Sequence, residues 1–205
     1  MERREVASRG NKWIQGLSGR LVRSAVTPNQ ISSASIAFAA LVPVGLFVVQ
    51  GAWGALLAIV GIQARLLCNV VDGLVAVEGG KQSALGALYN ELPDRVADSI
   101  VLVALGYALG LPAAGWLAAL LAALTAYVRV FGGALGQPQR FLGPMAKQHR
   151  MATATVALVL MIAAALGWWS EQAAWLARGL LWVVVVGSAI TCWRRTHAIA
   201  RDLKT

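Results

Sequence analysis

Two groups of polar and ionisable residues interrupt an otherwise apolar sequence. Arg65, Asn69 and Asp72 form the first, with Glu78 close behind, and Asn90, Glu91, Asp94, Arg95 and Asp98 form the second. Asn69, Asp72, Gly73 and Ala76 follow i+3 and i+4 steps and so share one helix face, while Gly86, Asn90, Asp94 and Asp98, each four apart, make a second stripe. Gly73, Ala76 and Gly86 have little or no side chain, which lets a backbone or a bulky ligand come close to the carboxylates. Facing stripes would enclose carboxylate and amide oxygens. Such donors suit a hard cation like Mg²⁺, which retains waters and phosphate oxygens in its shell. The plainer account is a set of salt bridges in which Arg65 and Arg95 neutralise Asp72, Asp94 or Asp98; it does not require small residues at turn spacing between the acids. Pro93, directly before Asp94, removes the backbone bond to Tyr89 and predicts a local bend.

The elements that carry these residues follow from composition. Of 205 residues, 58% are hydrophobic and 13% charged, against about 25% charged in a soluble domain. A span needs roughly 20 mostly apolar residues, and the chain offers such stretches near 32–50, 53–77, 84–109, 112–134, 151–169 and 173–193. The expected class is therefore all-α: a polytopic membrane protein with a bundle of about six transmembrane helices. A single domain over 1–205 is expected, with 1–30 as an interfacial segment and 31–205 as the six-helix membrane core. In the first segment Trp13, Ile14, Leu17, Leu21 and Val22 recur at helical spacing among Lys12, Arg20 and Arg23, a pattern suited to an amphipathic helix in the headgroup region. The long apolar run of a signal peptide is missing there.

Orientation follows from the basic residues. The first tail, Lys81, the 135–150 loop (Arg140, Lys147, Arg150) and the last tail (Arg194, Arg195, Arg201, Lys204) hold 14 of the 18, and the intervening loops hold none. Six spans then place both termini and the 78–82 and 135–150 loops in the cytoplasm. Both polar groups fall in the same leaflet, joined by a short loop, and are expected to face one another. The net charge of +9 reads as a topology signal with attraction to anionic lipid. Nucleic-acid binding is disfavoured, because no basic folded face is left outside the membrane. Cys68 and Cys192 lack metal-site spacing and read as packing residues, and His149 and His197 have no partner arrangement that marks a base or ligand.

Asn69-Val-Val-Asp72-Gly73-Leu-Val-Ala76-Val77, eight residues, then Gly86-Ala-Leu-Tyr-Asn90-Glu-Leu-Pro-Asp94 resembles the signature of the CDP-alcohol phosphatidyltransferase family. That signature reads Asp-x-x-Asp-Gly-x-x-Ala-Arg, eight residues, Gly-x-x-x-Asp-x-x-x-Asp, and every gap is matched. Thr27-Pro28-Asn29-Gln30-Ile31-Ser32 also looks like the family's segment before its first membrane helix, and the length and span count agree with its smaller bacterial members. The resemblance implies a multi-pass protein of the bacterial inner membrane, acting as a homodimer among membrane lipids. It implies Mg²⁺ or Mn²⁺ at Asn69, Asp72, Asn90 and Asp94, engaging the pyrophosphate of a CDP-linked donor, usually CDP-diacylglycerol. Gly73, Ala76 and Gly86 would line the donor site. Asp94 would be the general base on an alcohol acceptor, whose oxygen attacks the β-phosphorus as CMP leaves.

The chain departs from the signature at three places. Asn69 and Asn90 stand at its first and third aspartates and Val77 at its arginine. Glu78, Glu91 or Asp98 could restore charge, with Asp98 on the stripe and Glu91 about 100° around the helix from Asn90. Lys147 and Arg150 could bind an anionic acceptor headgroup. Two rivals stand beside the enzyme reading: a weak or inactive relative that binds lipid or nucleotide, and a small transporter using the charged pocket as its path. The one-leaflet placement of the charges disfavours the transporter.

Overall fold

The computed structural model describes residues 12–138 and 141–204, and among these all regular structure is helical. α1 is Lys12–Val22, α2 Pro28–Val44, α3 Gly51–Glu78, α4 Gly86–Ala108, α5 Pro112–Ala134, α6 Lys147–Ala165 and α7 Ser170–Asp202. Arg3, Arg4, Arg9 and Arg140, and the side chains of Lys12 and Trp13, lie outside the described residues. The chain is an integral, multi-pass all-α membrane protein. Five helices, all but α1 and α4, are long and apolar enough to cross a bilayer. α4 has the length, 23 residues, but carries Glu91, Asp94, Arg95 and Asp98.

Helix starts follow local chemistry. Thr27 caps α2 by a reciprocal box: its hydroxyl accepts from the Gln30 N–H, and the Gln30 side chain accepts from the Thr27 N–H, with Pro28 in the first turn. α2 continues through Pro43 into one π-helical turn, Gly45–Val49, and α4 likewise runs unbroken through Pro93. The α2–α3 hairpin closes on a pair of glycines. A Cβ on Gly45 would lie 2.3 Å from the Gly54 carbonyl oxygen, so no other residue permits that approach.

The six long helices form a closed ring. α2 packs on α3 and α4, α4 on α5, α5 on α7, α7 on α6, and α6 back on α3. α3 and α4, joined by a short loop, are therefore not principal neighbours; α2 lies between them, and their polar faces meet in the interior of the ring instead of across a hairpin seam. The apolar core, including Val42, Ile62, Val101, Leu102, Leu105, Leu158 and Leu181, fills the ring away from those polar faces. Exposed Trp53, Trp116, Trp168, Trp169 and Trp175 sit at the end opposite the 79–85 loop, where indole rings match a membrane interface.

α1 differs from the sequence expectation in what its apolar face touches. Leu17, Leu21 and Val22 pack on Leu67, Cys68, Val71 and Val75 of α3, so that face is spent on protein and the side left open bears Gln15, Arg20 and Arg23. Lys81 holds the arrangement from the 79–85 loop: its ammonium donates to the carbonyls of Ser24 (2.6 Å), Val26 (3.2 Å) and Leu21 (3.5 Å). These carbonyls belong to the last turn of α1 and the connection from it to α2. Lys81→Met is expected to cost about 1.5–3 kcal/mol of α1 docking, the worth of hydrogen bonds to a charged group. Limited proteolysis should show faster cleavage between α1 and α2 than in wild type.

Candidate functional site

The polar faces of α3 and α4 converge in the interior at the end of the bundle that carries the 79–85 and 135–146 loops. Asp72 on α3 is buried and accepts a hydrogen bond from Ser32 of α2 (2.5 Å). Asp94 on α4 is equally buried. Its Oδ2 accepts from Lys147 Nζ at 2.5 Å, with Arg95 at 3.7 Å, and its Oδ1 faces Arg65 Nη2 at 3.5 Å. Asp72 lies within electrostatic reach of both Asp94 and Lys147. Two carboxylates from non-neighbouring helices thus lie near one another, and Lys147, the first residue of α6, reaches Asp94 from a third side.

One turn deeper, Asp98 takes Arg65 Nη2 on Oδ1 and Arg150 Nη2 on Oδ2, the latter at 2.9 Å. Exposures of 0% for Arg65, 1% for Asp98 and 2% for Arg150 make this a buried ionic triad. Arg150, expected beside Lys147 at the acceptor end, is turned inward: its other donors go to the Met145 carbonyl (2.9 Å) and Thr125 (3.3 Å). Asp98 is likewise engaged by two arginines, Arg65 and Arg150. Glu91 is paired with Arg129 of α5 (2.5 Å) and with Arg95 (3.4 Å). Glu78 and Asn90 are exposed, Asn69 is half-buried, and Gly73, Ala76 and Gly86 are partly open.

The sequence did not single out Ser32, Thr125, Arg129 or Arg195 for this region. Arg129 carried a signal, an ionisable residue within an apolar span; its guanidinium stacks on Phe141. Arg195 donates to the carbonyls of Thr125 (2.5 Å) and Leu142 (2.9 Å), and Thr191 accepts from the Met145 N–H (3.0 Å). With Arg150, these bonds pin the 141–146 loop so that Lys147 enters the pocket. His149 and His197 stand apart from it, the first against the Pro144 carbonyl and the second stacked on Trp193.

Among the described residues no three His, Cys, Asp or Glu side chains gather as a metal cluster. The oxygen donors that a cation could take here are Asp72, Asp94 and the amides of Asn69 and Asn90. The set is all oxygen and dianionic, which fits a hard divalent ion that keeps waters in its shell. Buried donors also remain without a protein partner: Arg65 Nε and Nη1, Arg150 Nε and Asn69 Nδ2. Buried N–H groups of this kind call for acceptor oxygens from outside the protein.

Residues 25–193 match the family model described as CDP-alcohol phosphatidyltransferase. The chain belongs to that family. As a CDP-alcohol phosphatidyltransferase it is an enzyme of phospholipid synthesis that draws on a CDP-alcohol, and the transporter reading falls away. No curated protein matches it closely. Among solved structures it is similar to the phosphatidylinositol phosphate synthase of Mycobacterium tuberculosis with CDP-DAG bound: TM-score 0.67, 22% identity, covering 92% of this chain and 94% of that one. The same synthase in complex with manganese and citrate gives TM-score 0.65 at 22% identity, over 91% and 88% of the two chains. At that identity the likeness establishes the shared helical fold of this CDP-alcohol phosphatidyltransferase.

Proposed function

We propose that the enzyme transfers a phosphatidyl group from CDP-diacylglycerol to an alcohol, releasing CMP at the cytoplasmic face of a bacterial inner membrane. The observation that supports this reading is the convergence of the buried Asp72 and Asp94 toward one another beside the amide of Asn69, whose buried Nδ2 has no protein partner. That arrangement is complementary to a pyrophosphate and a divalent cation together. The structural neighbours with CDP-DAG and with manganese are consistent with both ligands. Basic residues at the 78–82 and 135–150 loops support the cytoplasmic placement of the pocket and of both termini.

In this reading Asn69, Asp72, Asn90 and Asp94 hold Mg²⁺ or Mn²⁺, which when bound supplies charge neutralisation for the phosphates. Gly73, Ala76 and Gly86 leave room for the donor. Asp94 Oδ2 accepts a close bond from Lys147, whereas Oδ1 has only a long one from Arg65 (3.5 Å), so Oδ1 is the less engaged oxygen and the one to accept the acceptor's hydroxyl proton. The acceptor oxygen bonds to the β-phosphorus, the bond to the CMP oxygen breaks, and the proton resides on Asp94. Lys147, which is partly exposed at the pocket mouth, orients the acceptor. Arg150 acts through the loop that it braces.

The test is CMP release from CDP-diacylglycerol by purified protein with Mg²⁺ or Mn²⁺ across a panel of acceptors: glycerol 3-phosphate, an inositol phosphate, neutral polyols and a lipid alcohol. Turnover with one acceptor class is expected, abolished by chelator. Donor binding without CMP release from any acceptor would instead support the weak or inactive relative to which Asn69, Asn90 and Val77 point.

A further inference from the structure

The Arg65–Asp98–Arg150 triad lies outside the donor set assigned above, and its geometry bears on Asp94. Arg65 Nη2 is shared unequally. It is in close contact with Asp98 Oδ1 but 3.5 Å from Asp94 Oδ1. Asp98 is in turn fixed from its other side by Arg150 at 2.9 Å. Arg150 cannot drift, being tied to Thr125 and the Met145 carbonyl. The chain of contacts therefore runs from α6 through α4 to α3 and ends on the guanidinium facing the oxygen that must take the proton.

From this we infer that Asp98 is a positioning residue that draws Arg65 toward itself, holding the guanidinium to a single long bond on Asp94 Oδ1 so that this oxygen can still take the acceptor's proton. An arginine with no other partner would close on Asp94, because a buried cation must find a counter-charge and a bidentate carboxylate pair is its best geometry. Lys147 and Arg95 already face Asp94 Oδ2; a fully engaged Arg65 would occupy the remaining oxygen. The assignment rests on the reading of Asp94 as the proton acceptor.

The experiment compares Asp98→Asn, Arg65→Gln and the double variant. Asp98→Asn should lower kcat by about 10²-fold, the cost of blocking or displacing a reacting group by an ångström, with little change in donor KM. Adding Arg65→Gln should raise kcat above that of Asp98→Asn alone, because the intruding guanidinium is gone. A double variant no faster than Asp98→Asn, or a loss confined to donor KM, overturns the assignment. If Asp98→Asn does not accumulate, Asp98→Glu replaces it: the longer side chain pushes Arg65 toward Asp94, and Arg65→Gln must again raise kcat. A stability cycle needs no turnover. The coupling between Arg65→Gln and Asp94→Asn in apparent Tm should grow when Asp98→Asn is present, and an unchanged coupling overturns the assignment. Wild-type protein that releases no CMP counts against the transferase reading, while this cycle still decides where Arg65 goes.

Discussion

Asp94→Asn is expected to abolish turnover while leaving CDP-diacylglycerol binding largely intact. Asn keeps the shape of the side chain and can still accept from Lys147, whose ammonium lies 2.5 Å away, but it loses the basic oxygen. General-base contributions are worth about 10²–10⁴ in rate, so kcat should fall by that order with saturating cation and donor. Single-turnover CMP release beside equilibrium binding of a non-transferable donor analogue separates the two effects. Wild-type kcat in this variant would remove Asp94 from the catalytic role even with the family unchanged.

Asp72→Asn should fail differently. Asp72 lies on α3 and accepts from Ser32, and in the proposed reading its charge serves the cation and through it the donor. Affinity for Mn²⁺ should drop by at least the roughly 10²-fold that loss of an outer-shell partner can cost, and donor binding should weaken in parallel. Titration of Mn²⁺ by electron paramagnetic resonance reads the first effect without turnover. Full cation affinity in Asp72→Asn would place the ion elsewhere. Asn69→Asp and Asn90→Asp then ask what the two amides do. A site merely weakened by missing charge should gain cation affinity and rate, whereas one adapted to its amides should lose rate through excess negative charge near Asp94.

The parts of this molecule that were readable in sequence are those set by local patterning. Apolar stretches gave the long helices to within a few residues, except that α7 runs on to Asp202, nine residues past the expected end, and turn spacing put Asp72 and Asp94 on inward-facing stripes. Ring order was not readable. Sequence adjacency pairs α3 with α4, whereas the Gly45–Gly54 approach seats α2 against α3 and leaves α4 on the far side of α2. The role of α1 was half readable: its amphipathic period is real, but a lipid surface and the Leu67–Val71–Val75 face of α3 attract the same leucines. Arg150 and Asp98, 52 positions apart, gave no local sign of their pairing. Arg150 was expected at the acceptor end and Asp98 on the stripe facing the pocket; both lie in the interior, where a charge buried on one helix demands its opposite from another.

The triad also has a consequence for how the protein reaches the bilayer. Asp94, Arg95 and Asp98 sit around the middle of α4, where each such side chain costs about 2.5–3.5 kcal/mol to insert, so α4 has little claim on lipid by its own hydropathy. Arg65 is already synthesised when α4 emerges; Arg150 is not, and arrives only with α6. Lateral release of α4 from the insertion machinery is therefore expected to depend on the later helices, since Arg150 and Lys147 reach Asp98 and Asp94 only once α6 is in place.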